Sequence, residues 1–468
     1  MQDWKDRKVL VLGLGDTGWS MTRWLARHGA RVTVADSRTE PPHAGELKEK
    51  FPKVRLATGA FRKSSFANVD AIAVSPGIDR REALLTASMQ RGVPVIGDIE
   101  IFARSLAAAS RDARPPHVVA ITGSNGKSTV TAMAGEIARA AGRATVVAGN
   151  FGLPVLDTLE EIEEGGAMPH VFVLELSSFQ LESTSSLEPD AATVLNVTED
   201  HLDRYDGIDT YAHAKARIFA GDGVQVLNRQ DPLTLEMALV GRRCRTFGVD
   251  SPASEAEWGI SGTPDKPMLA RGDDALMPLA ELPVHGLHNA ANALAALALT
   301  DAVWLPNSIG VETLRRFRGL PHRLEQIAVI GGVAFYDDSK GTNVGATVAA
   351  LNGMRTKVVL IAGGDGKGQD FSPLAAAVAA RARAVVLIGR DAEMVGDALR
   401  DSGVPLIRAA DMDEAVAAAY RAASPEDAVL LSPACASYDM FRSYVHRAEV
   451  FAHAVKRLAE REEAAHRG

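Results

Sequence analysis

The chain has 468 residues, 46% hydrophobic and 24% charged, which excludes a disordered or fibrous protein and, at about 150 residues per domain, suits three domains with cores of their own. Its formal net charge of −8, with no long basic run, removes the general attraction for a phosphate backbone on which nucleic-acid binders rely, so no nucleic-acid partner is expected. The two cysteines, Cys244 and Cys435, lie far apart without a Cys-x-x-Cys spacing, which argues against a disulfide framework or a thiolate zinc site and fits a reducing cytoplasm.

The first apolar run, 9–14, is broken at once by Gly15 and Asp16, too soon for a signal-peptide core. No stretch of 18 or more apolar residues follows, so a soluble cytoplasmic protein without membrane insertion is expected. Residues 8–36 predict a strand, a glycine turn, a helix with Met21, Trp24 and Leu25 on one face, and a second strand, "RVTVAD". Alternation continues through "VDAIAVSPGI" and "VPVIGDIEIFARSL", which makes residues 1–107 a Rossmann-like α/β unit. The polar, proline-containing stretch "AAASRDARPPH" at 108–117 reads as a linker.

A second unit, 108–318, opens on the strand "HVVAIT" and a glycine-rich loop, followed by a helix with Val130, Met133, Ala134, Ile137 and Ala138 at helical spacing. "HVFVLELSS" and "AATVLNVT" predict buried strands of a mostly parallel sheet, and the alanine-rich segment 288–304 a helix. Between 222 and 287 short strands and turns predict a small extra mixed sheet appended to this central domain. Past 318 the alternation restarts with "TKVVLIAGG", "AVVLIG" and "DAVLLSPACAS", so 319–468 is expected to be a third, Rossmann-like α/β domain.

Two glycine loops carry the chemistry. Gly13-Leu14-Gly15-Asp16-Thr17-Gly18 follows a strand and opens a helix, with Asp36 ending the next strand; glycines there let a pyrophosphate approach the helix N-terminus, whose free N–H groups favour anions. "TGSNGKST" at 122–129 follows a buried strand and starts a helix, so its N–H groups cradle phosphates, Lys127 reaches the β- and γ-oxygens, and the Ser128 hydroxyl is placed for Mg²⁺. Ile121 replaces the usual first glycine of that pattern. A nicotinamide-dependent oxidoreductase explains the first loop and leaves the second idle. A non-catalytic nucleotide switch has no use for the third domain.

The shortened second loop resembles the ATP loop of the Mur ligases and their folylpolyglutamate synthetase relatives. The same resemblance runs in order through "DSR" at 36–38, "SPGI" at 75–78, "GNFGLP" at 149–154, "ELSSFQLE" at 175–182, "NVTEDHLDRY" at 196–205, "HNAANALAA" at 288–296, "GLPHRLE" at 319–325, "DDSKGTN" at 337–343, "GGDGKG" at 363–368 and "SPACASYDMF" at 432–441. The Mur ligases join an amino acid to a UDP-sugar carboxylate in peptidoglycan precursor synthesis. The resemblance therefore implies that the first loop holds a UDP-sugar and the second the ATP that activates the carboxylate as an acyl phosphate. The implied partners are UDP-N-acetylmuramoyl-L-alanine, D-glutamate and ATP, with a monomeric enzyme expected; a Mur ligase adding a different amino acid is the nearest alternative.

Carried onto this chain residue by residue, the resemblance implies a UDP-sugar site of Gly15, Asp16, Thr17, Asp36, Ser37, Arg38, Ser75, Pro76 and Gly77. It implies an ATP site of Gly123, Ser124, Asn125, Gly126, Lys127, Ser128 and Thr129, with Asn289 and Asn292 at the adenine and Arg323 and Asp338 at phosphates and ribose. Two Mg²⁺ sites are implied, the first on Ser128 and Glu175, the second on His201 with Lys215 as a carbamate; Asn150 would donate to the γ-phosphate or acyl phosphate. Catalysis thus falls to Lys127, Asn150, His201 and Lys215, and the two carboxylates of D-glutamate to Lys340, Thr342, Lys367, Ser437, Tyr438 and Tyr444. Tyr438 and Tyr444 stand where the family pattern has leucine and phenylalanine, which implies a more polar pocket wall. With the ATP loop in the second domain and the amino-acid residues in the third, the third is expected to close over the second and expel water.

Overall fold

A computed structural model describes residues 4–109, 115–284 and 286–467. Of the stretch read as a linker, residues 110–114 lie outside these, and Ala108 and Ala109 instead end the helix Asp98–Ala109. Three sheets follow one another along the chain. The first comprises β1 (Lys8–Leu12), β2 (Arg31–Asp36), β3 (Arg55–Thr58), β4 (Ala71–Val74) and β5 (Val95–Ile96), all parallel, in the order β3-β2-β1-β4-β5. Alternate residues of β1 serve opposite faces: Val9 and Val11 meet Trp24 and Leu25 of the helix Asp16–Arg27, while Leu10 and Leu12 join Phe66, Ile72 and Leu85. Burial on both faces is what lets this strand be apolar from Val9 onward.

The central sheet has nine strands: β6 (His117–Thr122), β7 (Thr145–Gly149), β8 (Val171–Glu175), β9 (Ala191–Val194), β10 (Val224–Asn228), β11 (Cys244–Phe247), β12 (Glu257–Thr263), β13 (Lys266–Arg271) and β14 (Asp274–Pro278), ordered β14-β13-β12-β11-β10-β9-β6-β8-β7. The small extra sheet expected over 222–287 is therefore the outer half of the central one. Strands β10 and β11 continue the parallel ladder, and only β12–β14 turn antiparallel, joined through the pairs Thr246–Glu257 and Phe247–Trp258. Short strands and tight turns mark the meander in sequence, whereas its attachment depends on pairing that no local pattern encodes. One face, through Val119, Ile121, Val171 and Val173, packs on the helices Lys127–Ala140 and Leu287–Ala302. On the other face the Phe102 ring of the helix Asp98–Ala109 meets Phe172 edge-on at 5.1 Å.

The third sheet comprises β15 (Glu325–Ile330), β16 (Val333–Asp337), β17 (Val358–Gly363), β18 (Ala382–Ile388), β19 (Leu406–Arg408) and β20 (Ala428–Leu431), ordered β15-β16-β20-β17-β18-β19 with only the β15–β16 pair antiparallel. The helix Asp16–Arg27 is tied to the helix Val155–Glu163 of the central unit by Arg23 on Asp157 and Glu160 and by Arg27 on Glu164 at 2.6 Å. Among the described residues no helix is long and apolar enough to cross a membrane.

Candidate active site

Parallel strands deliver loops at their carboxyl ends, and all three sheets use them this way. After β1 the turn Gly13–Gly18 opens the helix Asp16–Arg27. Gly13 has φ +86°, and a Cβ on Gly18 would lie 1.9 Å from the Gly13 carbonyl oxygen, so the sharp turn requires glycine at both. Gly15, Asp16 and Thr17 at the helix start, Asp36, Ser37 and Arg38 after β2, and Ser75, Pro76 and Gly77 after β4 gather where the strand order reverses between β1 and β4. Ser75 Oγ donates to the Gly13 carbonyl at 3.4 Å. Asp36 accepts from Leu14 N (2.6 Å) and, on both oxygens, from Arg38. Burial works against its charge, but these donors outweigh it and hold the carboxyl below its usual range. An acid so engaged is poorly placed to take a ribose, which weighs against the oxidoreductase alternative.

The second loop begins where β6 ends. Gly126, at φ +85°, caps the helix Lys127–Ala140, and a Cβ there would come within 2.5 Å of Asn292 Oδ1. The loop is clamped from a neighbouring strand end: Asn125 N donates to Asn196 Oδ1 (2.8 Å), Asn196 Nδ2 to Asn125 O (3.1 Å), and Ser124 Oγ to Thr198 O (3.0 Å). Asn125, Gly126 and Thr129 line a cavity of about 300 Å³ with Asn289, Asn292, Arg323 and Asp338, joined by His288 and Phe247. Seven residues expected at ATP from sequence thus share one chamber between the central and third units. His322 meets Asp337 at 2.7 Å, a pair that flanks Arg323 and Asp338 in sequence. Arg323 Nε is buried with no hydrogen-bond partner among the described residues. Asp338 accepts from Ser432 Oγ at 2.7 Å, and burial pushes its carboxyl up to about 6.

Beside this chamber four lysines converge. Lys127 Nζ donates to the carbonyls of Gly123 (2.7 Å) and Ser124 (2.8 Å), and Lys215 Nζ shares the Gly123 oxygen at 2.8 Å, 4.2 Å from the Tyr211 ring centre. Lys215 is 1% exposed; burial, then the Lys127 charge, drive its amine well below the usual lysine value, favouring the neutral form that adds CO₂. Lys340, from the third unit, donates to Ser128 Oγ at 2.8 Å, and Lys367 forms an ion pair with Asp200.

Glu175, ending β8, accepts from Asn150 Nδ2 at 2.6 Å through one oxygen, while the other is buried with no hydrogen-bond partner among the described residues. His201 has φ +58° and packs on Phe179 at 4.9 Å; burial, opposed by Asp200, brings its imidazole down to about 4, so the ring is neutral near pH 7 with a lone pair to offer. A carboxylate oxygen and a hydroxyl suit a hard divalent cation, for which an imidazole is an unusual ligand.

Of the D-glutamate residues expected from sequence, Lys340, Thr342, Lys367 and Ser437 are buried or half-buried here, and the Tyr444 ring centre stands 5.4 Å from Lys340 Nζ. Tyr438 differs. It is 76% exposed, so of the two tyrosines only Tyr444 stands against Lys340 as a polar wall. Sequence reasoning passed over Asn196, Asp200, Asn343 and Arg447. The first three lie inside blocks already singled out. Arg447 is fully buried and donates to Ser339 O (2.7 Å), Ser339 Oγ (3.0 Å) and Cys435 O (3.1 Å), tying together the two loops that carry Lys340 and Ser437.

Residues 7–97 match the family model described as Mur ligase MurD-like, N-terminal domain, residues 121–300 the Mur ligase middle domain, and residues 322–435 the Mur ligase, glutamate ligase domain. The chain is 60% identical over 462 residues to the UDP-N-acetylmuramoylalanine--D-glutamate ligase of Thiobacillus denitrificans, covering 97% of each, and 55% identical over 458 residues to that of Methylobacillus flagellatus, covering 98% of each. Among solved structures, UDP-N-acetylmuramate-alanine ligase MurC from Thermotoga maritima superposes with a TM-score of 0.61 at 18% identity, over 96% of this chain and 99% of that one. A pseudomurein peptide ligase type C from Methanothermus fervidus gives 0.59 at 18% identity, over 97% and 100%. At that identity both share the fold.

Proposed function

The chain belongs to the Mur ligase family, and from that premise we propose that it joins D-glutamate to the L-alanine carboxylate of UDP-N-acetylmuramoyl-L-alanine, a peptidoglycan precursor, in an ATP-driven reaction in the cytoplasm. The observation that carries this reading is the meeting of the triphosphate loop with Lys340 and Lys367 of the third unit around Ser128 and Asp200. We take the domain limits as 107/108 and 318/319, supported by the three separate sheets.

Amide formation from a carboxylate in water is uphill, so the carboxylate is activated first. A carboxylate oxygen attacks the γ-phosphorus, ADP leaves, and an acyl phosphate results. The amine of D-glutamate then attacks the acyl carbon, inorganic phosphate leaves and the nitrogen loses its proton. The work of the site is to gather anions and exclude water. Gly15, Asp16 and Thr17 present the helix N-terminus to the UDP diphosphate, with Asp36–Arg38 and Ser75–Gly77 as walls. Gly123–Thr129 wrap the triphosphate, Lys127 turns from its carbonyls to the β- and γ-oxygens, and Asn289, Asn292, Arg323 and Asp338 hold the nucleoside end. Asn150 donates to the transferred group, and Lys340 and Lys367, with Thr342, Ser437 and Tyr444, receive the amino acid's carboxylates.

Members of the family use ATP and Mg²⁺. In this chain Ser128 and Glu175 would hold one ion, and His201 with Lys215 as its carbamate a second. Bound there, the ions would neutralise phosphoryl oxygens. Phosphate release with ATP, Mg²⁺ and UDP-N-acetylmuramoyl-L-alanine tests the function. Strong stimulation by D-glutamate, and none by L-glutamate, L-alanine or D-alanine, is expected; absence of ADP with every reactant present overturns it.

A further inference from the structure

Asp200, beside His201, is 5% exposed and makes bonds that cross between domains. Its Oδ1 accepts the His201 N–H at 3.0 Å and takes the Lys367 ammonium as an ion pair. Its Oδ2 accepts from Asn343 Nδ2 at 3.2 Å. Lys367 and Asn343 lie on different loops of the third sheet, after β17 and after β16. Each is fixed on its own side. The Lys367 N–H donates to Asp365 Oδ1 at 3.1 Å within a turn where Lys367 has φ +53°, and Asn343 Oδ1 caps the helix Val344–Gly353 by accepting from Ala346 N at 2.8 Å. Asn343 Nδ2 also reaches Asn125 of the triphosphate loop at 3.0 Å. One carboxylate of the central domain thus receives both loops of the third domain.

We propose that Asp200 is a positioning residue for the amino-acid substrate: it seats the third domain on the central one and holds the Lys367 ammonium at the reaction centre. This rests on the reading that Lys367 receives a D-glutamate carboxylate. A lysine on its four-carbon stem samples many rotamers, so a fixed ammonium must be anchored by a partner that restricts them. Asp200 supplies that partner within a nearly buried pair whose side chains are 12% and 7% exposed, where removing one charge leaves the other uncompensated. The UDP-sugar is held by a different domain and does not depend on this contact.

Steady-state kinetics of full-length Asp200→Asn, Lys367→Met and the double variant test this. Asp200→Asn should raise the KM for D-glutamate by about tenfold or more while leaving that for UDP-N-acetylmuramoyl-L-alanine within about twofold. Because the pair acts as a unit, the double variant should be no worse than Lys367→Met by more than about twofold. An unchanged D-glutamate KM, fully multiplicative losses, or a parallel rise in both KM values with a lowered Tm overturns the proposal. Asn343→Ala, expected to raise the same KM by roughly threefold or more, carries the test if Asp200→Asn does not fold; an unchanged KM overturns it. Wild-type protein that forms no ADP with D-glutamate would sink the proposed function instead, whereas active wild type with indifferent variants sinks only the role of Asp200.

Discussion

Lys127 is bonded to carbonyls of its own loop, so on meeting a triphosphate its ammonium would exchange neutral acceptors for charged ones. Lys127→Ala should lower kcat by about 10²–10³, measured by ADP formation, with little change in UDP-sugar binding. Gly126 tests the turn itself. Its φ of +85° and the Asn292 oxygen 2.5 Å from a would-be Cβ mean that Gly126→Ala both strains the backbone and displaces a cavity-lining side chain. A loss of stability of roughly 1–3 kcal/mol, read as a lower Tm, and weaker ATP-analogue binding by calorimetry are expected. The sequence pattern made the loop legible because glycines and lysine recur at fixed offsets. It could not reveal that Asn196, 70 residues on, locks that loop in place.

The helix Asp98–Ala109 shows how one element joins two units. Gly97 N donates to Ser183 O at 3.3 Å, and Glu100 accepts from Ser185 N (2.7 Å), Ser186 N (2.9 Å) and Ser186 Oγ (2.7 Å). Burial works against the Glu100 charge, yet these donors bring it down to about 2. Among the described residues Asp98 has one side-chain donor, Gln180 Nε2 at 3.0 Å, and its other oxygen has none, so burial pushes it up to about 6. A carboxyl raised in the folded state binds more protons there than in the unfolded chain. Its stabilising effect is therefore largest at acid pH and declines as pH rises from about 4 through about 6. Asp98→Asn, which keeps an acceptor for Gln180, should accordingly be more stable than wild type at pH 7.5, by up to about 3 kcal/mol, with the gap closing near pH 4. Equal denaturation midpoints for the two proteins at pH 7.5 would contradict this account. The amphipathic run of this helix is visible in sequence, but which sheet it covers is not.

At the scale of the whole molecule, the third domain contacts the central one through Lys340 on Ser128, Asn343 on Asn125 and Lys367 on Asp200. We propose that the third domain closes over the ATP loop, and these contacts are the ones that such a closure would make. Few polar bonds across a cleft give little net stability in water, so the free protein in solution should populate a more open arrangement than the fully liganded one. Small-angle scattering should show a smaller radius of gyration with an ATP analogue, UDP-N-acetylmuramoyl-L-alanine and D-glutamate together; identical curves would count against domain closure. The N-terminal domain, tied through Arg23, Arg27, Asp157, Glu160 and Glu164, should move with the central one.

Three α/β units, two glycine-rich loops and the order of the polar blocks were legible along the chain, because alternating apolar strands, glycine turns and loop lysines are set by neighbours a few residues away. Long-range packing was needed to fix that the meander after β11 extends the central sheet, that Tyr438 faces solvent while Tyr444 approaches Lys340, and that Asp200 takes two loops from another domain. Those outcomes rest on pairing between residues tens to hundreds of positions apart. Close packing and the burial of charge select such pairings, and no local periodicity records them.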